Sequence, residues 1–171
     1  MSSKDARQGA TERVTLERVY PATLEEVWAM WTTREGIEAW WGPEGFAVEV
    51  RSLDLRPGGE LRYVMIAKAP EMVQFMKAQG MPTEHDARLR YTAVEPLRRL
   101  AWLHATDFIP GIEPYDVGHD VAFSKDPRGV RLVVSIDRMH DEVWTQRAVQ
   151  GWESELGKLE RALAAGAGTR P

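Results

Sequence analysis

The sequence predicts an α+β fold, a curved antiparallel β-sheet of about seven strands wrapped around one long C-terminal α-helix. Three observations carry this. Six segments after residue 45 alternate apolar and polar side chains and are linked by short turns, the pattern of antiparallel strands. From about residue 142 to 165, Trp144, Ala148, Trp152, Leu156, Leu159 and Leu163 fall at steps of three and four, one apolar stripe on a long helix. The strands have one apolar face each, and these faces and the stripe can bury one another. A sheet this long curls as it twists, so it cannot seal fully against one helix, and a cavity between the layers is expected.

Residues 1–12 are polar and patternless and are expected to be a mobile tail. Val14, Leu16, Arg18 and Tyr20 then alternate with Thr15, Glu17 and Val19 as a first strand, which Pro21 ends. Thr23-Leu24-Glu25-Glu26 reads as a capping box opening a short helix with Leu24, Val27, Trp28 and Trp31 on its apolar face. Thr33 can cap a second short helix carrying Ile37, Trp40 and Trp41, which Gly42-Pro43 stops. Adjacent Trp40 and Trp41 are not both expected to face the core of one short helix, so one of them is a candidate for the cavity border.

The six later strands are read at 46–53, 60–66, 87–94, 100–106, 120–125 and 130–137. Pro57 and Gly58 suit the two central positions of a type II turn at 56–59, and Asp126-Pro127-Arg128-Gly129 suits a type I turn in the last hairpin. Residues 67–86 are longer than a hairpin link. Met72, Phe75 and Met76 there fall at i, i+3 and i+4, so a short amphipathic helix is expected. Asp141 can cap the last helix, and residues 166–171 are expected to be a C-terminal tail.

With 171 residues, the chain suits one domain, expected at 13–165. It has no cysteine, which excludes disulfides, thiolate metal sites and cysteine nucleophiles. The net charge of −4 argues against a nucleic-acid partner, which usually meets a basic face. No apolar run approaches the ~20 residues of a membrane span, and the first dozen residues lack the apolar stretch of a signal peptide. A cytoplasmic protein with no membrane partner is expected. His85, His104, His119 and His140 show no compact ligand spacing, so no metal is expected. No nucleophile elbow, P-loop or dinucleotide fingerprint is present, and no cofactor is expected.

Four segments, in order, resemble a known family. Tyr20-Pro21-Ala22 with Glu26-Val27-Trp28, Trp31-Thr32 with Trp40-Trp41-Gly42-Pro43, Asp54-Leu55-Arg56-Pro57-Gly58-Gly59, and Gly151-Trp152 with Leu156, Leu159 and Leu163 are similar to motifs of the START-like, or SRPBCC, superfamily. They resemble most the branch named after the activator of the ninety-kilodalton heat-shock protein's ATPase, over residues 13–165. The resemblance implies the helix-grip fold, with the 67–86 insert near the mouth of the cavity as a possible lid. Its members include lipid carriers, polyketide cyclases, hormone receptors and co-chaperone domains, so function has to come from the site.

The first functional expectation is a protein that binds a small apolar molecule, such as a lipid or polyketide. Phe46, Val48, Tyr63, Met65, Trp102, His104, Phe123, Val134 and Trp152 are candidates to line the cavity, with Trp40 and His119 at its border and Met72 and Met76 on the lid. Core packing alone also explains each apolar member of this set. The second is a cyclase/aromatase-like or hydrolase-like enzyme with His104 or Tyr63 as acid or base. The third is a chaperone-interaction module. The oligomeric state stays open, with a homodimer through a strand edge or the insert as one outcome.

Overall fold

A computed structural model describes residues 13–107 and 109–166. The N-terminal tail expected at 1–12, and all but Gly166 of the C-terminal one, lie outside the described residues. The elements run β1 (Arg13–Tyr20), α1 (Leu24–Thr32), α2 (Arg34–Trp40), β2 (Phe46–Leu53), β3 (Glu60–Ala67), α3 (Pro70–Ala78), β4 (Glu84–Glu95), β5 (Arg99–Thr106), β6 (Tyr115–Asp126), β7 (Gly129–Asp137) and α4 (Glu142–Ala164). All seven strands join one antiparallel sheet in the order β1-β7-β6-β5-β4-β3-β2. The helix pair α1–α2 therefore carries the chain from one edge of the sheet to the other.

Local chemistry sets the ends of these elements. Thr23 Oγ1 accepts the Glu26 amide at 3.1 Å and donates to the Glu26 carboxylate at 3.2 Å. Thr33 Oγ1 accepts from Gly36 N, and Asp141 accepts from Trp144 N at the start of α4. Replacing Thr23 by Ala frees one helix-end amide, and the urea midpoint should report a loss of about 1 kcal/mol. The turn at 56–59 is closed by Gly59 N donating to Arg56 O at 2.8 Å, with Gly58 at φ +87°, the left-handed value that a type II turn requires.

β4 begins three residues and β6 five residues before the expected starts. The added stretches, Glu84-His85-Asp86 and Tyr115-Asp116-Val117-Gly118-His119, carry Glu84, Asp86, Asp116 and Gly118, residues weak in β-propensity. Ladder pairing with β3 and β5 overrides that preference. Gly118 also has a steric role. It donates its amide to Asp137 Oδ2 at 2.9 Å, and a Cβ there would lie 2.5 Å from that oxygen.

The register decides which side chains face α4. Leu16, Val134, Val121, Leu100 and Val94 form one rung across five strands. Leu53, Leu61, Leu89, His104 and Val117 form another. His104 thus shares the concave face with buried leucines. On α4, Trp152, Leu156 and Leu159 are buried against this face, and Tyr20 donates its hydroxyl to Leu156 O.

Trp40 and Trp41 depart from expectation. Both are buried, with Trp40 fully enclosed. The helix ends at Trp40, and Trp41 caps it with extended torsions (φ −62°, ψ 145°), so the second ring leaves the helical direction and also turns inward. Trp40 donates its indole N–H to Met30 O at 2.8 Å and lies outside the linings of the two cavities described below.

Candidate functional site

The concave sheet face is incompletely covered, and two adjoining cavities remain. The larger measures about 1110 Å³. Phe46 of β2, Tyr63 and Met65 of β3, His85 and Ala87 of β4 and His104 of β5 line it. Met76 of α3, the Met81-Pro82 segment after it, Pro110, and Trp144 of α4 add to the wall, and Arg51, Arg62, Asp86, Arg88 and Asp107 contribute to its lining as well. Ala87 pairs directly with Tyr63 across the strands. A methyl group there, where the next rung carries Leu61 and Leu89, leaves the floor low. The insert at 67–86 does form a helix, and its buried Met76 is turned to this cavity while Phe75 is exposed.

The smaller chamber, about 250 Å³, lies between β5, β6, β7 and the first half of α4. His104, His119, Thr106 and Glu155 are set in it among Val117, Ile136, Met139 and Trp152. His104 and Trp144 border both spaces.

The polar groups meet at His104. Its Nε2 lies 3.4 Å from the Tyr63 hydroxyl, and its ring centroid is 6.2 Å from that of His119. Burial lowers the His104 pKa to about 4, with His85 adding to the effect. Burial first, then His104, lowers His119 to about 3. His119 is stacked on Trp102, ring centroids 5.2 Å apart and nearly parallel, and its Nδ1 is 3.1 Å from Val117 O. A neutral imidazole in that position donates from Nδ1 and keeps Nε2 as an acceptor. Burial pushes the Tyr63 phenol well up. Burial also raises Glu155 to about 7, although the Gly42 amide, 2.9 Å from Oε1, and nearby Lys158 pull the other way. Lys158 itself is pushed down by burial and donates to Gly42 O at 2.9 Å.

The structure brings part of the expected set together. Phe46, Tyr63, Met65, Met76 and His104 line the larger cavity, and His104, His119 and Trp152 the smaller. Val48, Trp102, Phe123 and Val134 face the same way but are covered by packing. Trp102 lies between Trp31, Trp41, Trp152 and His119, and Phe123 lies beneath Trp28 and Trp31. Met72 is half-buried on α3 outside both linings. Sequence reasoning missed Glu155, Thr106, His85 and Ala87. Glu155 alone left a signal, an acid three residues after Trp152 and four before Leu159, on the stripe that faces the sheet. No three His, Asp or Glu side chains among the described residues gather as a metal site. No helix among them is long and apolar enough to cross a membrane.

Solved structures show the same architecture. Protein CV1439 from Chromobacterium violaceum is similar with a TM-score of 0.72 at 22% identity, over 88% of this chain and 96% of that one. The AHSA1-like protein from Aeromonas hydrophila matches with a TM-score of 0.69 at 22% identity, over 93% and 97%. The AHSA1 protein from Silicibacter pomeroyi matches with a TM-score of 0.65 at 24% identity, over 90% and 99%. At these identities the likeness establishes the helix-grip fold. A search of the curated proteins finds no match. The family model described as activator of Hsp90 ATPase homolog 1-like protein matches residues 21–164, from the end of β1 to the last turn of α4, and the chain belongs to that family.

Proposed function

We propose that this protein binds a small hydrophobic or aromatic molecule, of the lipid or polyketide kind, in the larger cavity between the sheet and α4. The observation that carries this is the cavity itself, about 1110 Å³ walled in part by Phe46, Met65, Met76 and Ala87, with the Tyr63–His104 pair among its polar contacts. Ligand sites of this volume are mostly apolar with few polar groups. Methionines on two sides suit a wall that adapts to ligand shape.

The contact between Tyr63 and His104 supports a second reading, acid–base chemistry on the same ligand. A phenol pushed up and an imidazole pushed down are both neutral near pH 7. Such a pair is better suited to hydrogen bonding than to proton transfer, so binding ranks first. A chaperone-binding role, suggested by the family description, ranks behind both. The large apolar side chains exposed among the described residues, Phe75, Met81, Ile112 and Val143, are spread over three segments, and the cavity beneath is available to a small molecule.

Native mass spectrometry of the purified protein, with and without denaturation, should reveal a co-purifying small molecule. Ala87→Phe raises the cavity floor without touching α4 and should weaken retention of an apolar probe by tenfold or more, with thermal unfolding little changed. Unaltered retention in that variant would place the ligand elsewhere. Recovery of a chemically altered ligand after incubation would favour the enzyme.

A further inference from the structure

The smaller chamber holds two acceptor atoms that no donor among the described residues meets. His119 spends its Nδ1–H on Val117 O, which leaves Nε2 with a bare lone pair. Glu155 takes the Gly42 amide on Oε1, and among the described residues no donor bonds Oε2. Among the described residues, the only fully enclosed side-chain nitrogen or oxygen without a partner is Trp31 Nε1. His119 Nε2 and Glu155 Oε2 are therefore not sealed in the packing, and the space their side chains line is this chamber. Both sit in a wall of Trp152, Ile136 and Met139, so only what enters the chamber can meet their lone pairs. The local cations do not satisfy them. Lys158 is committed to Gly42 O and Phe46 O. Arg147, exposed at the rim of the chamber lining, holds its guanidinium over the Trp144 ring, 4.8 Å from its centre, and makes no ion pair with Glu155 among the described residues.

We propose, resting on the binding reading above, that this chamber is a head-group subsite for a hydrogen-bond donor. The ligand is then an amphiphile whose apolar body fills the larger cavity and whose hydroxyl or protonated amine passes His104 to end between His119 and Glu155. A carboxylate head is rejected, because it sets lone pairs against lone pairs and a negative charge beside Glu155. The volume of about 250 Å³ admits a head group of a few atoms with a bridging water.

The test is displacement of the neutral fluorophore N-phenyl-1-naphthylamine from the full chain at about pH 8, where Glu155 is mostly ionised. The competitors are 1-decanol, decylamine and decanoate, which share one chain length and differ in the head. Decanol and decylamine should displace the probe at concentrations at least tenfold below decanoate. In Glu155→Gln, with folding checked by thermal unfolding, the amine should lose its advantage and the penalty on decanoate should shrink. The ranking of the three heads on the unmodified protein decides the question even if that variant fails to fold. Decanoate displacing as well as or better than the other two overturns the subsite and leaves cavity binding standing. A protein that takes up neither probe nor competitors removes the binding reading and the subsite with it.

Discussion

Trp31→Ala should destabilise the protein by about 3–5 kcal/mol, near the upper end for a single core truncation. The ring is 2% exposed and lies within 6.1 Å, centre to centre, of Trp40, Trp41, Trp102, Phe123 and Trp152. Those five rings come from α2 and its cap, β5, β6 and α4, so removing one side chain loosens both helix layers from the sheet at once. Most contacts are edge-on, which the ring quadrupole favours, and Trp152 stacks nearly parallel at 12°. Trp31→Phe should cost clearly less. It keeps much of the packing and deletes an indole N–H that is buried without an acceptor. Urea unfolding followed by far-ultraviolet circular dichroism measures both variants. Equal losses would show that the phenyl ring recovers none of the packing of the indole.

Acid should destabilise the protein through its buried histidines, and Glu155 should blunt the effect. His104 and His119 are held near 4 and 3, below the ordinary 6.5. Below about pH 6.5 the unfolded chain binds two protons that the folded chain refuses, so their contribution is full above that pH and is lost as pH falls towards 4. Glu155 runs the other way. Its folded value near 7 lies above the ordinary 4.5, so its contribution is full below 4.5 and is lost as pH rises through 7. Between about pH 5 and 6 unfolding then takes up roughly one net proton, and stability should fall by about 1.4 kcal/mol per pH unit on acidification. Glu155→Gln removes the opposing proton, so the slope should approach about 2.7 kcal/mol per pH unit. Exposed carboxylates paired with arginine, such as Glu17 with Arg131, titrate lower and leave this window to the buried groups. Urea midpoints at several pH values test this, and parallel slopes in the two proteins would show that Glu155 keeps its charge in the fold.

The layers of this protein can be read from its residues because they follow local rules. The stripe from Trp144 to Leu163, the cap at Thr23, the turn at Pro57-Gly58 and the short helix over Met72 to Met76 are patterns within a few residues, and the structure realises each, although Phe75 of that helix faces outward. The early starts of β4 and β6 are not local. Glu84, Asp86 and Gly118 are poor strand formers that extend because a neighbouring strand offers its hydrogen bonds.

The site divides the same way. Strand alternation turns Tyr63 and His104 inward, but their 3.4 Å approach depends on the β3–β4–β5 register, which alternation leaves open. Trp102 and Phe123 alternate inward as expected, yet they are packed away from both cavities because the rings of Trp28, Trp31 and Trp41 reach them from the α1–α2 excursion. By itself the sequence determined which faces are apolar, where helices and turns begin, and that one helix must cover a curled sheet. Only the tertiary structure decided where that cover falls short, because a cavity is the volume left between elements distant in the chain, and its lining depends on register and on which side chains arrive from across the sheet.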